Sequence, residues 1–295
     1  MYDYDILFIG HINRDTVEPF KGPPFTEECS PVTFAAAAAC RVGGRIAAVT
    51  KISGNEESLL EPLKEAGVHL FVQSGEATEG HIIFPTANVD QRQIYRIKVG
   101  EPFASGEMPA CKPCLVHLCC FDACGFLPKL MRALKARGFR LSVDMMSVML
   151  QADASGAAHL EDVPEKKEIL NMADFVKVDV VEAKVLTGAD APKDQADILE
   201  GWGSSETIIT SSEGVLAQGN GTSAFAKFTN RNTRGRMGRG DTCMGAYLAR
   251  RLDHPLEDAV RFAAALTSIK LESPGPFTGT PDHVIERMDL PVYRW

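Results

Sequence analysis

The sequence predicts an α/β fold in which a doubly wound, mostly parallel β-sheet is flanked by helices. Two observations support this prediction. Short apolar segments recur along the chain, as expected of strands that are buried on both faces of a sheet. Segments with helical periodicity lie between several of them, and such alternation is typical of parallel sheets. In these sheets, ligands bind where loops leave the carboxyl ends of the strands.

The predicted buried strands are short and rich in apolar residues. They cover residues 6–10, 45–50, 115–120, 141–144, 175–178 and 207–210. Helical patterns cover residues 34–41, 127–137 and 180–186. No internal repeat or linker interrupts the chain, so we expect a single domain over residues 1–295.

Two segments in the N-terminal half break the alternation. Residues 19–25 (PFKGPPF) are rich in Pro and Gly and cannot form a helix. Residues 81–99 have the partial alternation of two strands around a polar turn at 88–91. We therefore expect a small β appendage from about residues 11–33 and 78–103. It is either an edge hairpin or a lid over a site.

Composition favours a small-molecule protein. The net charge is −8 and no basic block stands out, so nothing indicates binding to nucleic acid. The N-terminus is acidic and leads directly into a strand, unlike a signal peptide. No apolar run approaches the roughly 20 residues that cross a bilayer. We expect a cytoplasmic protein with no membrane partner.

The cysteines allow two interpretations. Five of the eight lie close together, at Cys111, Cys114, Cys119, Cys120 and Cys124. The spacing of the first two suits a zinc or redox pair. The strand prediction instead favours reduced, buried thiols, because neighbouring strand residues face opposite ways.

A glycine-rich segment near residue 240 carries the strongest chemical signal. Gly235, Gly238 and Gly240 lie within six residues and are followed by Asp241 and a helical pattern. Free N–H groups at a helix start form an anion site, and a carboxylate there suits a base that accepts a hydroxyl proton. The alternative is that Asp241 only caps the helix. The spacing matches neither a P-loop nor a dinucleotide-binding fingerprint.

This segment, GRGDTCMGAYLARRL, resembles the C-terminal signature of the ribokinase-like (PfkB) carbohydrate kinases. The resemblance implies that Asp241 is the catalytic base and that the backbone of Gly238, Arg239, Gly240 and Asp241 forms an anion hole. It also implies a doubly wound domain with a small β lid. The implied reaction transfers phosphate from ATP with Mg²⁺ to a sugar or polyol.

Other segments extend the resemblance over nearly the whole chain. Residues 10–15 (GHINRD) are similar to a motif whose polar residues bind substrate hydroxyls, here Asn13 and Asp15. Residues 178–183 (VDVVEA) resemble a motif that positions magnesium, which implies Asp179 and Glu182. The alternative for this pair is two solvated residues in the first turn of a helix.

The resemblance also implies a nucleotide site and a possible homodimer. Thr210 and Gly214 fall on the strand and turn that line the nucleotide, and Gly275 falls on a loop that closes it. Lid strands in this family often pair between two subunits. Arg92 and Arg96, in the predicted hairpin, either contact the substrate or are solvated, as exposed hairpin charges normally are.

Three departures from the family pattern leave details open. Residues 29–34 (CSPVTF) replace a Gly-Gly pair and a later Asn, so the substrate is a sugar, a nucleoside or a cyclitol such as inositol. Gly235 and Arg236 replace an Asp-Thr pair that supports a monovalent cation, so potassium dependence is open. Arg239 replaces an alanine and either contacts a phosphate or points to solvent.

Two other classes of function compete with the kinase. The missing Gly-Gly pair is compatible with a sugar- or nucleotide-binding regulator that has little activity. A nicotinamide oxidoreductase is disfavoured, because the first strand is not followed by the expected glycine fingerprint.

Overall fold

The computed structural model describes residues 1–88, 90–103, 105–119 and 126–288. Most of the chain builds one large sheet, which has the predicted parallel character. Its strands are β1 (Ile6–Ile9), β4 (Ile46–Ile52), β5 (His69–Ser74), β8 (Leu115–Leu118), β9 (Arg140–Asp144), β12 (Phe175–Asp179), β13 (Glu206–Thr210), β14 (Gly214–Gly219) and β15 (Thr222–Lys227).

The large sheet has the order β15-β14-β13-β12-β9-β8-β1-β4-β5. The strands from β13 to β5 pair in parallel, and β14 and β15 add an antiparallel edge. All six predicted strands are present in the described residues, with small differences at their ends, and Cys120, the predicted end of one of them, lies outside those residues. Their apolar composition is explained by position, since both faces of the sheet are covered by helices.

A second, smaller sheet lies over one end of the first. Its strands are β2 (Asn13–Glu18), β3 (Phe25–Glu27), β6 (Thr78–Ile83), β7 (Gln93–Lys98), β10 (Leu150–Ala152) and β11 (Ala157–Leu160). Their order is β10-β11-β7-β6-β2-β3. Sequence analysis did not assign β10 and β11, because strands this short have no periodic pattern of their own. They are strands because β11 pairs with β7.

Ten helices are described. They are α1 (Pro31–Val42), α2 (Glu61–Ala66), α3 (Leu127–Ala136), α4 (Met146–Met149), α5 (Lys166–Met172), α6 (Val180–Thr187), α7 (Pro192–Gly201), α8 (Arg239–Arg250), α9 (Leu256–Leu271) and α10 (Pro281–Met288). The core forms two clusters, one on each face of the large sheet. The three predicted helical patterns correspond to α1, α3 and α6.

Close packing between α1 and α8 sets the position of the α8 N-terminus. A side chain at Gly245 would lie 2.0 Å from the carbonyl oxygen of Ala35, so only glycine permits this approach. The alanines of α1 are fully buried and present a flat surface to α8. The small residues of both helices therefore hold the start of α8 at the edge of the sheet.

Three of the five clustered cysteines lie in the part of the chain that the structure describes. Cys111 and Cys119 are buried and Cys114 is half-buried, while Cys120 and Cys124 lie outside the described residues. Among residues that are described, no group of three or more His, Cys, Asp or Glu side chains could hold a metal ion.

In the same residues, every helix is too short or too polar to span a bilayer.

Candidate active site

A cavity of about 120 Å³ lies between the two sheets. Its floor includes the ends of β12 and β13 and the first turn of α8, and its roof includes β2, β6 and β7. Eight residues predicted from sequence line it: Asn13, Asp15, Asp179, Thr210, Gly238, Arg239, Gly240 and Asp241. The cavity therefore unites the predicted catalytic and acceptor residues at the carboxyl edge of the sheet.

The first turn of α8 has the backbone geometry of an anion site. Gly238 caps the helix with φ 70°, a left-handed conformation that favours glycine. A Cβ atom there would lie 2.1 Å from the Phe34 ring, so packing also demands glycine. The N–H groups that follow begin the helix and have no carbonyl partner one turn earlier. Phe34 thus packs directly against the anion site.

Asp241 is not the helix cap that one alternative predicted. Gly238 occupies the cap position and no side chain caps this helix end. One carboxylate oxygen of Asp241, Oδ1, is buried and accepts no hydrogen bond from the described residues. Burial raises the pKa of Asp241, while the Lys177 ammonium opposes that increase. An acid at the cavity with an unused acceptor atom is suited to receiving a proton.

Lys177 is a site residue that sequence analysis missed. Its ammonium lies 3.0 Å from Asp144 Oδ2 and 3.7 Å from Glu182 Oε2. Burial alone would lower the pKa of Lys177, but Asp144, Glu182 and Asp241 raise it above its ordinary value. A side chain at Gly240 would lie 3.0 Å from Lys177 Cε, so the lysine packs under the anion site. A charged residue inside an apolar strand (FVKVD) was the available signal.

Asp179 and Glu182 form a capping box at the start of α6. Asp179 Oδ1 accepts hydrogen bonds from the N–H groups of Val181 and Glu182, at 2.9 and 2.8 Å. Glu182 Oε2 accepts one from the N–H of Asp179 at 2.8 Å. Both side chains are buried, so the alternative of two solvated residues is wrong.

Arg92 reaches this pair from the second sheet. Its guanidinium donates to Asp179 Oδ2 at 3.2 Å and lies 3.5 Å from Glu182 Oε1. Burial would lower the pKa of Arg92, but the two carboxylates raise it. The expectation that Arg92 is solvated is therefore wrong. Arg96 also lines the cavity and donates to the carbonyl oxygen of Leu150 at 3.0 Å.

The two carboxylates offer the oxygen ligands that a magnesium ion arriving with phosphate groups would need. Glu182 Oε1 is buried and accepts no hydrogen bond from the described residues, and the Arg92 guanidinium lies 3.5 Å from it. Burial, followed by the nearby charge of Asp179, raises the pKa of Glu182 to about 8, and a cation would favour its ionised form. Because the described residues offer no complete metal cage, the remaining ligands would be water and phosphate oxygens, as magnesium prefers.

The part of the cavity that β2 and β6 line is polar and buried. Asp15 lies on β2 opposite Gly80 of β6, and a Cβ atom on Gly80 would lie 2.6 Å from Asp15 Oδ1. Burial raises the pKa of Asp15 to about 6. Asn13 Oδ1 is buried and unpaired within the described structure. These groups can accept hydrogen bonds from substrate hydroxyls.

Of the three residues predicted to bind the nucleotide, Thr210 lines the cavity and the two glycines do not. Thr210 ends β13, lines the cavity, and has a buried hydroxyl without a hydrogen-bond partner in the described chain. Gly214 lies in β14, where a Cβ atom would come within 2.2 Å of the Ala226 carbonyl oxygen, so sheet packing explains this glycine. Gly214 and Gly275 are not among the described residues that line the cavity.

Comparison with known proteins identifies relatives over almost the whole chain. The family model described as pfkB family carbohydrate kinase matches residues 35–283. No curated protein sequence matches the chain significantly. A solved pyrophosphate-dependent kinase in the ribokinase family is 25% identical, with a TM-score of 0.86, covering 95% of this chain and 99% of its own.

Two further solved structures have the same fold. One is a pyrophosphate-dependent myo-inositol-1 kinase converted by mutation into a myo-inositol-3 kinase, which is 25% identical with a TM-score of 0.84, covering 96% of this chain and 98% of its own. The other is a ribokinase of Arabidopsis thaliana complexed with ribose and ATP, 16% identical with a TM-score of 0.75, covering 99% of this chain and 100% of its own. The predicted fold class is confirmed.

Proposed function

The chain belongs to the PfkB family of carbohydrate kinases, and from this premise we propose that it phosphorylates a hydroxyl group of a sugar or sugar-like polyol, with Asp241 as the general base. One observation supports the assignment most directly. Asp241 has a buried, unused acceptor oxygen in the first turn of α8, beside a cavity that both sheets line. Phosphoryl transfer needs such a base next to an anion site.

The residues of the site divide into those that bind the substrate hydroxyls and those that bind the phosphate donor. Asn13 and Asp15 hold the acceptor hydroxyls, and Asp241 accepts the proton of the attacking hydroxyl. The N–H groups from Gly238 to Asp241 stabilise the negative charge of the transferring group. Arg239, whose guanidinium pairs with Asp90, begins the same turn.

Where the phosphate donor would bind, Lys177 and Arg92 keep Asp179 and Glu182 in place. Glu182, with Asp179, would hold magnesium through water. The ion, when bound, would neutralise phosphate charge.

The test is the Asp241→Asn variant in a coupled assay over sugars, nucleosides and polyols. We expect the phosphoryl-transfer rate to fall by roughly two orders of magnitude or more, because the amide cannot accept the proton. Donor binding, measured by calorimetry, should persist. The matched control is Asp190→Asn, since Asp190 is 84% exposed in its pair with Lys184. Unchanged turnover in Asp241→Asn would refute the assignment.

The phosphate donor has two candidates. The family relationship favours ATP with magnesium, and the solved ribokinase relative binds ATP. Pyrophosphate is the second candidate, because Gly214 and Gly275 do not line the described cavity whereas Lys177, Arg92, Arg236 and Arg239 do. Two similar solved proteins are also pyrophosphate-dependent, one of them a myo-inositol kinase.

A donor comparison separates the candidates. The purified protein is assayed with magnesium and either ATP or pyrophosphate, with ribose, nucleosides and myo-inositol as acceptors. A higher kcat/KM with ATP supports a nucleotide site. A higher kcat/KM with pyrophosphate supports binding of this donor by the lysine and arginine side chains that line the cavity. Binding of a sugar without product from either donor would instead indicate a sugar- or nucleotide-binding regulator that has little activity.

Two further expectations stay predictions. Pairing of the second sheets of two subunits would produce a homodimer, which light scattering coupled to size exclusion tests. Cytoplasmic location is tested by fractionation.

A further inference from the structure

The ammonium group of Lys270 lies in a pocket formed by backbone carbonyls. Lys270 is in the last turn of α9 and only 3% of its surface is exposed. Its Nζ donates to the carbonyl oxygen of Gly235 at 2.6 Å and also to that of Met237. The same atom lies 4.5 Å from the centroid of the Phe34 ring. Carbonyl oxygens and an aromatic face are the surroundings that a desolvated monovalent cation prefers.

One of these carbonyls belongs to the peptide that begins the anion site. A trans peptide is planar, so its C=O and N–H point in opposite directions. The carbonyl of Met237 points to Lys270, so the N–H of Gly238 in the same peptide points away from the lysine. A hydrogen bond at the carbonyl polarises the peptide and strengthens its N–H as a donor. Lys270 therefore fixes and polarises the amide of Gly238.

The turn at 235–237 is held close enough for this contact by packing. A Cβ atom on Gly235 would lie 2.0 Å from the carbonyl oxygen of Ser273 and 2.5 Å from that of Lys270. The N–H of Gly235 donates to the Leu271 carbonyl at 2.8 Å. The glycine thus allows the turn to lie directly on the end of α9, within reach of the lysine.

The charged groups around Lys270 come from several elements. Burial lowers the pKa of Lys270 to about 8, Glu27 and Asp241 favour the charged form, and Arg236 opposes it. At neutral pH the ammonium form predominates. A positive charge of fixed position therefore lies behind the anion site without any added ion.

We propose that Lys270 is a tethered monovalent cation that positions and polarises the Gly238 amide, and that it makes phosphoryl transfer independent of potassium or ammonium ions. Lys270 acts through the Met237–Gly238 peptide and is a positioning residue. The proposal rests on the proposed kinase function for its effect on rate, but the cation site itself can be tested without catalysis.

The test compares the wild-type protein with Lys270→Ala, which removes the ammonium and leaves space for an ion. Each is assayed at constant ionic strength in tetramethylammonium chloride, potassium chloride or ammonium chloride. We expect the wild-type rate to be the same in all three salts. The variant should lose roughly tenfold or more in kcat in tetramethylammonium, because two buried carbonyls lose their donor, and potassium or ammonium should restore most of it.

Thermal unfolding provides a readout that does not depend on activity. Potassium should raise the Tm of Lys270→Ala and leave that of the wild type unchanged. If no acceptor is phosphorylated by the wild type, the kinase assignment fails but this comparison still decides the cation site. Wild-type activation by potassium would overturn the proposal, as would a folded variant whose lost rate neither ion restores.

Two control variants separate this role from packing. Lys51 is also buried, pairs with Glu107 and lies 5.7 Å from the Phe103 ring centroid. Lys51→Ala should lose stability without acquiring any dependence on potassium. Lys270→Arg keeps the charge and should remain independent of potassium, so it carries the test if Lys270→Ala does not fold. An arginine variant that requires potassium would count against the proposal.

Discussion

The guanidinium of Arg239 donates a hydrogen bond of 2.7 Å to the carboxylate of Asp90. Arg239 begins α8, and Asp90 lies in the turn between β6 and β7. Asp90 also accepts a hydrogen bond of 3.1 Å from the N–H of Ser212, which follows β13. This turn of the second sheet is therefore attached both to the anion site and to the loop at the end of the large sheet. Arg239 does not point to solvent.

The first prediction concerns this attachment. Asp90→Ala removes both contacts and should raise the KM for the acceptor by roughly tenfold, because the second sheet no longer closes firmly over the cavity. Steady-state kinetics at saturating donor measure the change. The control is Glu28→Ala, which breaks an exposed pair with Arg14 in the same sheet and should alter KM less than about twofold. An unchanged KM in Asp90→Ala would show that the attachment is unimportant for binding.

The second prediction concerns the helix cap. Gly238→Ala places a methyl group against the Phe34 ring at a residue with φ 70°, so the anion-site backbone must move. We expect kcat to fall by roughly a hundredfold or more. Gly188→Ala is the matched control, because Gly188 has φ 77° and nothing within 4 Å of its Cβ position. Equal effects of the two substitutions on kcat would argue against an anion site at Gly238.

The third prediction concerns the acceptor carboxylate. Gly80→Ala would bring a Cβ atom to 2.6 Å from Asp15 Oδ1 and displace this group. The acceptor KM should rise by roughly tenfold or more while donor KM is preserved, since the change is confined to one side of the cavity. Gly106→Ala, at an exposed residue with nothing within 4 Å, should leave both constants unchanged. If only the KM for the phosphate donor changed, the assignment of Asp15 to acceptor binding would be wrong.

The fourth prediction links Asp15 to stability. Burial raises its pKa in the folded protein from 3.8 to about 6, so the folded state binds this proton more tightly than the unfolded state. The resulting stabilisation is present below pH 3.8 and is lost as the pH rises through about 6. At pH 8 the wild type therefore carries a desolvated carboxylate, and Asp15→Asn should be more stable by about 3 kcal/mol.

Urea unfolding at pH 8 and at pH 4 measures this difference. The advantage of Asp15→Asn should shrink at pH 4, where the wild-type side chain approaches its neutral form. Asp190→Asn, at an exposed position, should show little difference at either pH. An advantage that does not change with pH would mean that desolvation of the carboxylate is not its cause.

Several features could be predicted from sequence because their signals are local. The apolar runs at β1, β4 and β13 are continuous, so their burial and the parallel sheet follow from composition and spacing. The glycines around Asp241 are adjacent in the chain, so the helix start and its acid could be recognised together. Asn13 and Asp15 were assigned to the same site as Asp241 only through the resemblance to the kinase family, and all three line one cavity.

Other features depended on contacts between distant segments. The charges of Arg92, Lys177 and Lys270 gave no indication of their partners, because a charged side chain is buried only where opposite charges or carbonyl oxygens surround it. Those partners come from distant strands, helices and turns; Arg92 and Asp179, for example, are 87 residues apart. The sequence by itself determined the sheet, the glycine turn and the acid, since neighbouring residues specify them. Only the tertiary structure decided which cations compensate the buried carboxylates and which one lies behind the anion site, because that choice depends on how separate segments pack.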